Sequence, residues 1–206
     1  MRFLSRVLLA VCLVAPMTLA LSEPATRFYK QLSVLKEKLE KNRKAIDQYN
    51  GGIIATGPLG TSAYELWSAF RIGNVQLHEA TANSTICPPE EREDIMKAIY
   101  DFGFDGVQTM DVYKKKQSVL RDSRMGFVTP IFLDAILREI EEAESYSRYL
   151  LGNQYDDQIT RNYGLFREAW GSVFDAYTTG LKPELGFAQD YMGFMTAVQP
   201  VLGLLF

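Results

Sequence analysis

The chain holds one histidine, His78, followed by Glu79. Di-iron helix bundles require Glu-x-x-His pairs, and no acid stands three residues before His78. A lone histidine on a helix reads as a surface residue or as a core residue with a partner, not as a ligand. The nucleophile elbow G-x-S-x-G, the zinc pattern H-E-x-x-H, the P-loop and G-x-G-x-x-G are all missing. Asp and Glu number 25, so a glycosidase-like carboxylate pair is compatible with composition, but no spacing selects one. The expectation is a protein with no catalytic residue, no metal and no cofactor.

Three other features carry chemistry. Asn83-Ser84-Thr85 is a glycosylation sequon between two predicted helices, just before Pro88-Pro89, so Asn83 is expected as a glycosylated loop residue. Cys12 falls in the leader described below and Cys87 is then alone, which excludes an internal disulfide. Cys87 is either a small buried hydrophobe or a thiol open to another chain. Lys114-Lys115-Lys116 is the only basic run. It reads as a solvated last turn of a helix, where cations suit the dipole, or as a contact for an anionic head group or acidic polymer.

The first twenty residues, MRFLSRVLLAVCLVAPMTLA, have two arginines, a short apolar run and a small-residue end. They read as a secretory leader cleaved after Ala20. The whole chain is net −3, and the leader holds Arg2 and Arg6 with no acid, so the remainder is net −5. That balance gives no nucleic-acid footprint.

The elements are helices. Phe28, Leu32, Leu35, Leu39, Ile46 and Tyr49 step by threes, fours and one seven between charged residues. Ser22 caps this segment, Pro24 suits its first turn, and Asn50-Gly51-Gly52 stops it. Residues 53–60 are expected as an apolar crossing over the end of a bundle. A second helix is predicted from about Thr61, capped by Thr61 or Ser62, to Ala82, with Ala63, Leu66, Phe70 and Leu77 inward and Gly73 as a weak point. A third opens at Pro88-Pro89 and carries Ile95, Ile99, Phe102, Gly106, Met110 and Tyr113 on one face. A fourth is capped by Thr129 with Pro130 first, carries Leu133, Ile136, Ile140, Ala143, Ser147 and Leu150, and ends at Gly152. A fifth carries Ile159, Tyr163, Phe166, Trp170, Val173 and Tyr177. The fold class is all-α, an antiparallel up-and-down bundle of about five amphipathic helices plus an apolar C-terminal segment.

The stretch AIDQYNGG, closing the first helix before an apolar piece and a second helix, resembles the fungal hydrophobic surface-binding protein family, which includes the cell wall galactomannoproteins. Ile46, Tyr49, Gly51 and Gly52 match its Ile-x-x-Tyr-x-Gly-Gly-type sequence. Ile99, Val107, Met110 and Tyr113 leading to the lysine run resemble its third helix. FLDAILREIEEAESYSRYLLG resembles its closing helix. The resemblance covers about residues 28–153, taken with 21–27 as one bundle domain (21–153). Residues 154–206 are a helical extension expected to pack on it. The chain departs from the family in its aromatic content, 12 Phe and 11 Tyr, and Trp67, Phe70 and Trp170 are large enough to fill space that relatives leave open.

The resemblance implies a secreted, wall-associated protein without a catalytic site. Some relatives hold fatty acids or related lipids inside the bundle, and others adsorb to hydrophobic solids. A lipid slot here would be lined by Leu66, Phe70, Ile99, Phe102, Met110, Ile136 and Ile140, with Gly103, Gly106 and Ala143 leaving gaps in the walls. Each of these side chains also suits a dry core. The partner is then a fatty acid or other apolar ligand, or a hydrophobic surface, with cell-wall polysaccharide as a further candidate. The apolar tail, residues 191–206, has three readings: a packed last helix, an adsorbing patch, or an anchor signal following Thr178-Thr179-Gly180. A structural or interaction protein of the wall or host interface is the non-lipid alternative.

Overall fold

A computed structural model describes residues 21–82, 86–123 and 125–179. The leader, the sequon at Asn83 and the tail from Gly180 lie outside the described residues. Helix α1 is Glu23–Gln48, α2 Ile53–Ala82, α3 Pro89–Lys115, α4 the short Gln117–Arg121, α5 Met125–Leu151, and α6 Asp156–Thr178, entered through a 3-10 turn at Asn153–Tyr155. The described residues are all-α, and the five long helices form an up-and-down bundle.

The five helices close into a ring in the order α1, α2, α5, α6, α3, with α3 returning to α1. Paired residues give the directions. Lys41 meets Glu65 while Gln31 reaches Ala69, so α1 and α2 are antiparallel. Ser147 meets Tyr163 and Leu133 meets Trp170, so α5 and α6 are also antiparallel. Asn42 meets Tyr113 and Arg43 meets Gln108, while Ser22 meets Glu91, so α1 and α3 run parallel. A ring of five cannot alternate throughout, which forces one parallel seam; α3 and α6 are parallel as well, with Gly106 against Phe166 and Tyr113 against Tyr177.

The cap of α1 follows the sequence: Ser22 Oγ accepts from the Ala25 N–H at 3.3 Å. Ser22 also ties α1 to α3, since its N–H donates to Glu91 Oε1 at 2.6 Å and its hydroxyl donates to the other carboxylate oxygen. At the opposite end the chain leaves α1 through Gly51 and Gly52, both at φ near +90° (89° and 91°), a conformation that a side chain would strain. Ile46 and Tyr49 are buried beneath this turn. The lysine run has a structural use there. Lys116 Nζ donates to the Tyr49 carbonyl at 3.1 Å and to Asn50 Oδ1 at 3.2 Å, serving the carbonyl end of α1.

Two helix starts differ from the sequence expectation. Residues 53–60 are not a crossing but the first turns of α2, with Pro58 inside the helix. Proline removes only the bond to the residue four before it, here Ile54, which lies on a turn where Ile54 itself is 93% exposed and water can serve the freed carbonyl. Leu59, on the inner face, is buried and anchors the turn. Ser62 caps nothing: its hydroxyl donates to the Leu59 carbonyl at 2.9 Å. Likewise α5 begins at Met125, not at Thr129, and Pro130 lies inside it. Thr129 Oγ1 donates to the Met125 carbonyl at 2.7 Å, serving the helix from within. Thr129-Pro130 reads as a cap and a first position, and Pro58 reads as a loop residue before a cap at Thr61 or Ser62, yet each proline stands sixth in its helix, where it removes one backbone bond.

Cys87 is a small buried hydrophobe, 1% exposed, whose N–H donates to the Leu150 carbonyl at 3.0 Å. Burial pushes its thiol up to about 11.

Candidate ligand-binding cavity

The interior of the ring changes character along its axis. At the end marked by Tyr49, Lys116 and Tyr177 the core is dry and, the Tyr49 hydroxyl apart, its polar groups are mutually paired. Trp170 is fully buried and its Nε1–H donates to the Leu133 carbonyl at 2.9 Å. Tyr113 donates to Asn42 Oδ1 at 3.1 Å, Asn42 Nδ2 donates to Ser62 Oγ at 3.2 Å, and Tyr177 donates to the Tyr113 carbonyl at 2.9 Å. Every hydroxyl and amide of that chain thus has a partner inside the protein, which removes the cost of burying it.

Toward the end marked by Ser22, Cys87 and Gly152 lies a cavity of about 50 Å³. All five long helices line it. Phe28, Gln31, Leu32 and Leu35 come from α1; Phe70, Gly73, Asn74 and Leu77 from α2; Ile99, Phe102 and Gly103 from α3; Ile140, Ala143 and Ser147 from α5; and Asn162, Tyr163 and Phe166 from α6.

Of the seven side chains expected to line a slot, Phe70, Ile99, Phe102 and Ile140 stand on this cavity. Leu66, Met110 and Ile136 do not; each is fully buried in the dry part. Of the three wall gaps, Gly103 and Ala143 line the cavity. Gly106 leaves no gap, because the Phe166 ring fills it: a Cβ there would lie 1.6 Å from Phe166 Cε2. The ring continues an aromatic series from the cavity to the dry core, with centroids 5.9 Å apart for Phe70–Phe102, 6.0 Å for Phe102–Phe166 and 5.1 Å for Phe166–Trp170. Phe70 and Trp170 therefore do fill interior space, whereas Trp67 is only partly buried, with the Arg71 guanidinium 5.3 Å from its ring centre.

Sequence reading missed the polar lining. Gln31, Asn74 and Asn162 sit beside apolar stripes but are not part of them, although Asn74 stands four residues after Phe70 and Asn162 four before Phe166, on the same faces. Gly73, read as a weak point, makes room for Gln31, whose amide lies where a Cβ would be (Nε2 at 2.2 Å). Gln31 Nε2 donates to the Ala69 carbonyl at 2.7 Å. Asn74 Nδ2 donates to both the backbone carbonyl and Oε2 of Glu139, each at 2.8 Å. Burial pushes the Glu139 carboxyl up against that hydrogen bond, which lowers it. Tyr163 donates to the Ala143 carbonyl at 3.3 Å, which leaves the Ser147 hydroxyl to donate to Tyr163 at 2.8 Å. Burial pushes the Tyr163 phenol up to about 12, so it is a neutral group at ordinary pH. Behind Ser147, the buried Glu144 carboxylate binds Arg148 at 2.6 Å and Arg167 at 2.7 Å.

No group of three or more His, Cys, Asp or Glu side chains among the described residues is placed to hold a metal ion. No helix among them is long and apolar enough to cross a membrane. What the arrangement offers is apolar contact and neutral hydrogen bonds.

No protein-family model matches the chain, and no curated protein sequence matches it. Solved structures do. Afmp4p in complex with palmitic acid superposes with a TM-score of 0.69 at 12% identity, over 74% of this chain and 99% of that one. Ligand-binding domain 1 of the Penicillium marneffei MP1 protein, complexed with arachidonic acids, gives 0.69 at 13% identity over 75% of this chain and 99% of that one. Ligand-binding domain 2 of the same protein, with multiple arachidonic acids, gives 0.66 at 14% over 74% and 94%. The chain shares the fold of these ligand-binding domains.

Proposed function

We propose that the protein binds a single-chain, fatty-acid-like lipid inside the helical ring. The observation that supports this most is the position of the cavity. It is lined by all five long helices and walled by apolar side chains with a few neutral polar groups, in a fold of which solved examples hold palmitic and arachidonic acids.

The size of the cavity sets a condition. Its volume, about 50 Å³, is well under the ~150 Å³ that admits benzene, so an acyl chain enters by displacing side chains. Burying about ten methylenes gains roughly 8 kcal/mol, at about 0.8 kcal/mol each. Losing the packing of one large aromatic costs about 3–5 kcal/mol. The exchange is favourable if one ring yields, and Phe166 is the ring that both lines the cavity and plugs the Gly106 notch.

Secretion through the leader, glycosylation at Asn83 and residence in the wall belong to the same proposal and rest on the sequence. The interior cavity favours carriage over adsorption as the main activity. The test is solvent extraction of the purified protein with mass spectrometry of the extract, followed by titration of the delipidated protein with a fluorescent fatty acid. A co-purified lipid and saturable binding are expected. An empty extract together with no binding overturns the proposal.

A further inference from the structure

The polar side of the cavity offers more acceptors than donors. None of its lining residues carries a charge, and the neutral polar groups have already spent most of their donors. Both N–H bonds of Asn74 point at Glu139 oxygens, which fixes the amide orientation and leaves Oδ1 as what Asn74 can offer. Gln31 is fixed in the same way by the Ala69 carbonyl, leaving Oε1 and one N–H. Tyr163 spends its proton on the Ala143 carbonyl and Ser147 spends its own on Tyr163, so Ser147 retains only an accepting oxygen. Asn162, with no hydrogen bond from its side chain among the described residues, offers both ends of its amide.

The charged groups behind this wall are the carboxylates of Glu139 and Glu144, and the guanidinium groups of Arg148 and Arg167 are held on Glu144. Glu144 is neutralised by its two guanidinium groups and Arg71 acts on Glu139 from α2, but no cation stands in the lining itself to meet an anionic head group. Burying an unpaired charge is far costlier than burying a neutral hydroxyl that finds an acceptor.

We propose that the cavity selects lipids whose head group is uncharged and donates hydrogen bonds, the chemistry of a long-chain alcohol or an acylglycerol, over lipids with a fixed negative charge. A fatty acid qualifies when it carries its proton. The inference rests on the lipid-binding reading and names the class of lipid for the same cavity.

The test is displacement of Nile red, a neutral probe, from the full chain by 1-dodecanol and dodecyl methyl ether, each below its solubility limit, and by dodecane-1-sulfonate below its critical micelle concentration. The alcohol is expected to compete at least tenfold better than the sulfonate, with the ether between them. A sulfonate that competes as well as the alcohol overturns the selection against charge and leaves the lipid reading standing. An ether equal to the alcohol overturns the requirement for a donated hydrogen bond. Failure of Nile red and all three competitors to bind defeats the lipid reading itself. Asn162→Lys, at a half-buried position, supplies the missing cation. It is expected to shift the alcohol-to-sulfonate ratio by tenfold or more toward the sulfonate, and an unchanged ratio in a folded variant overturns the placement of the head group.

Discussion

The two ends of the ring are built from the same kinds of helix face and filled differently. At the dry end the large groups are locked: Trp170, Tyr113 and Tyr177 are buried, and each places its polar atom on a backbone carbonyl or on Asn42. At the other end Gly73, Gly103 and Ala143 hold back the wall, and short amides enter the interior. An aromatic fills space well only where its polar tip or its ring edge has a fixed partner. Where small residues and amides face each other instead, the helices cannot close the gap without leaving polar atoms unserved.

The sharpest way to break this contrast is to hollow out the locked end. Trp170→Ala should lower the free energy of unfolding by about 3–5 kcal/mol, read from urea denaturation. Phe166→Ala, beside the existing cavity, should cost less. Equal losses would mean that the two ends are packed alike. Next in size is Gly106→Ala. The new methyl would occupy the place of the Phe166 ring, and since it projects from α3 it drives the ring toward the cavity. A destabilisation of about 1–3 kcal/mol is expected from overpacking, together with weaker binding of a fluorescent lipid.

Tyr113→Phe acts on the dry end alone. It leaves Asn42 Oδ1 without its donor in a buried site, a loss of about 1–3 kcal/mol, and lipid binding should not change. A change in affinity would show that the two ends are coupled.

Alkaline pH probes both ends at once. Tyr163 on the cavity and Cys87 toward the same end of the ring are pushed up by burial to about 12 and about 11, and burial raises Tyr113 and Tyr177 in the dry end as well. The unfolded chain therefore releases these protons first, so their contribution is complete below the ordinary values, near 9.0 for the thiol and 10.0 for the phenols, and is lost as pH rises through the folded ones. The urea midpoint should fall from about pH 9 upward, and Cys87→Ala should flatten the part between about 9 and 11. A midpoint that is flat up to pH 11 in the wild-type protein would contradict the burial of the thiol.

The smallest effect is expected at Tyr49, whose hydroxyl is buried without a hydrogen-bond partner among the described residues. Tyr49→Phe should leave stability unchanged or raise it by up to about 1 kcal/mol, in contrast to the loss at Tyr113. A clear loss would reveal a partner for that hydroxyl.

Much of the architecture was legible in residue spacing. The stripes of α1, α3 and α6 predicted their buried faces, and Gly51-Gly52 predicted the sharp exit from α1, because period and backbone freedom are local properties. Helix starts at Ile53 and Met125 were not legible, since proline near a first turn is compatible with either side of the boundary. The lining was half legible. Leu66 and Phe70 are one helical turn apart on the same stripe, yet one is in the dry core and the other on the cavity. A stripe reports which face is inward and carries nothing about height along the axis.

The sequence by itself determined the class of fold, the inward faces and the lack of any familiar catalytic pattern, all of which follow from the order of residue types along one helix at a time. Only the tertiary structure decided that Phe166 closes the Gly106 notch, that Gln31 lies over Gly73, and that an apolar cavity with neutral accepting groups survives at one end. Those outcomes depend on which side chain of one helix meets which gap in another, and that register is set by the packing of all five together.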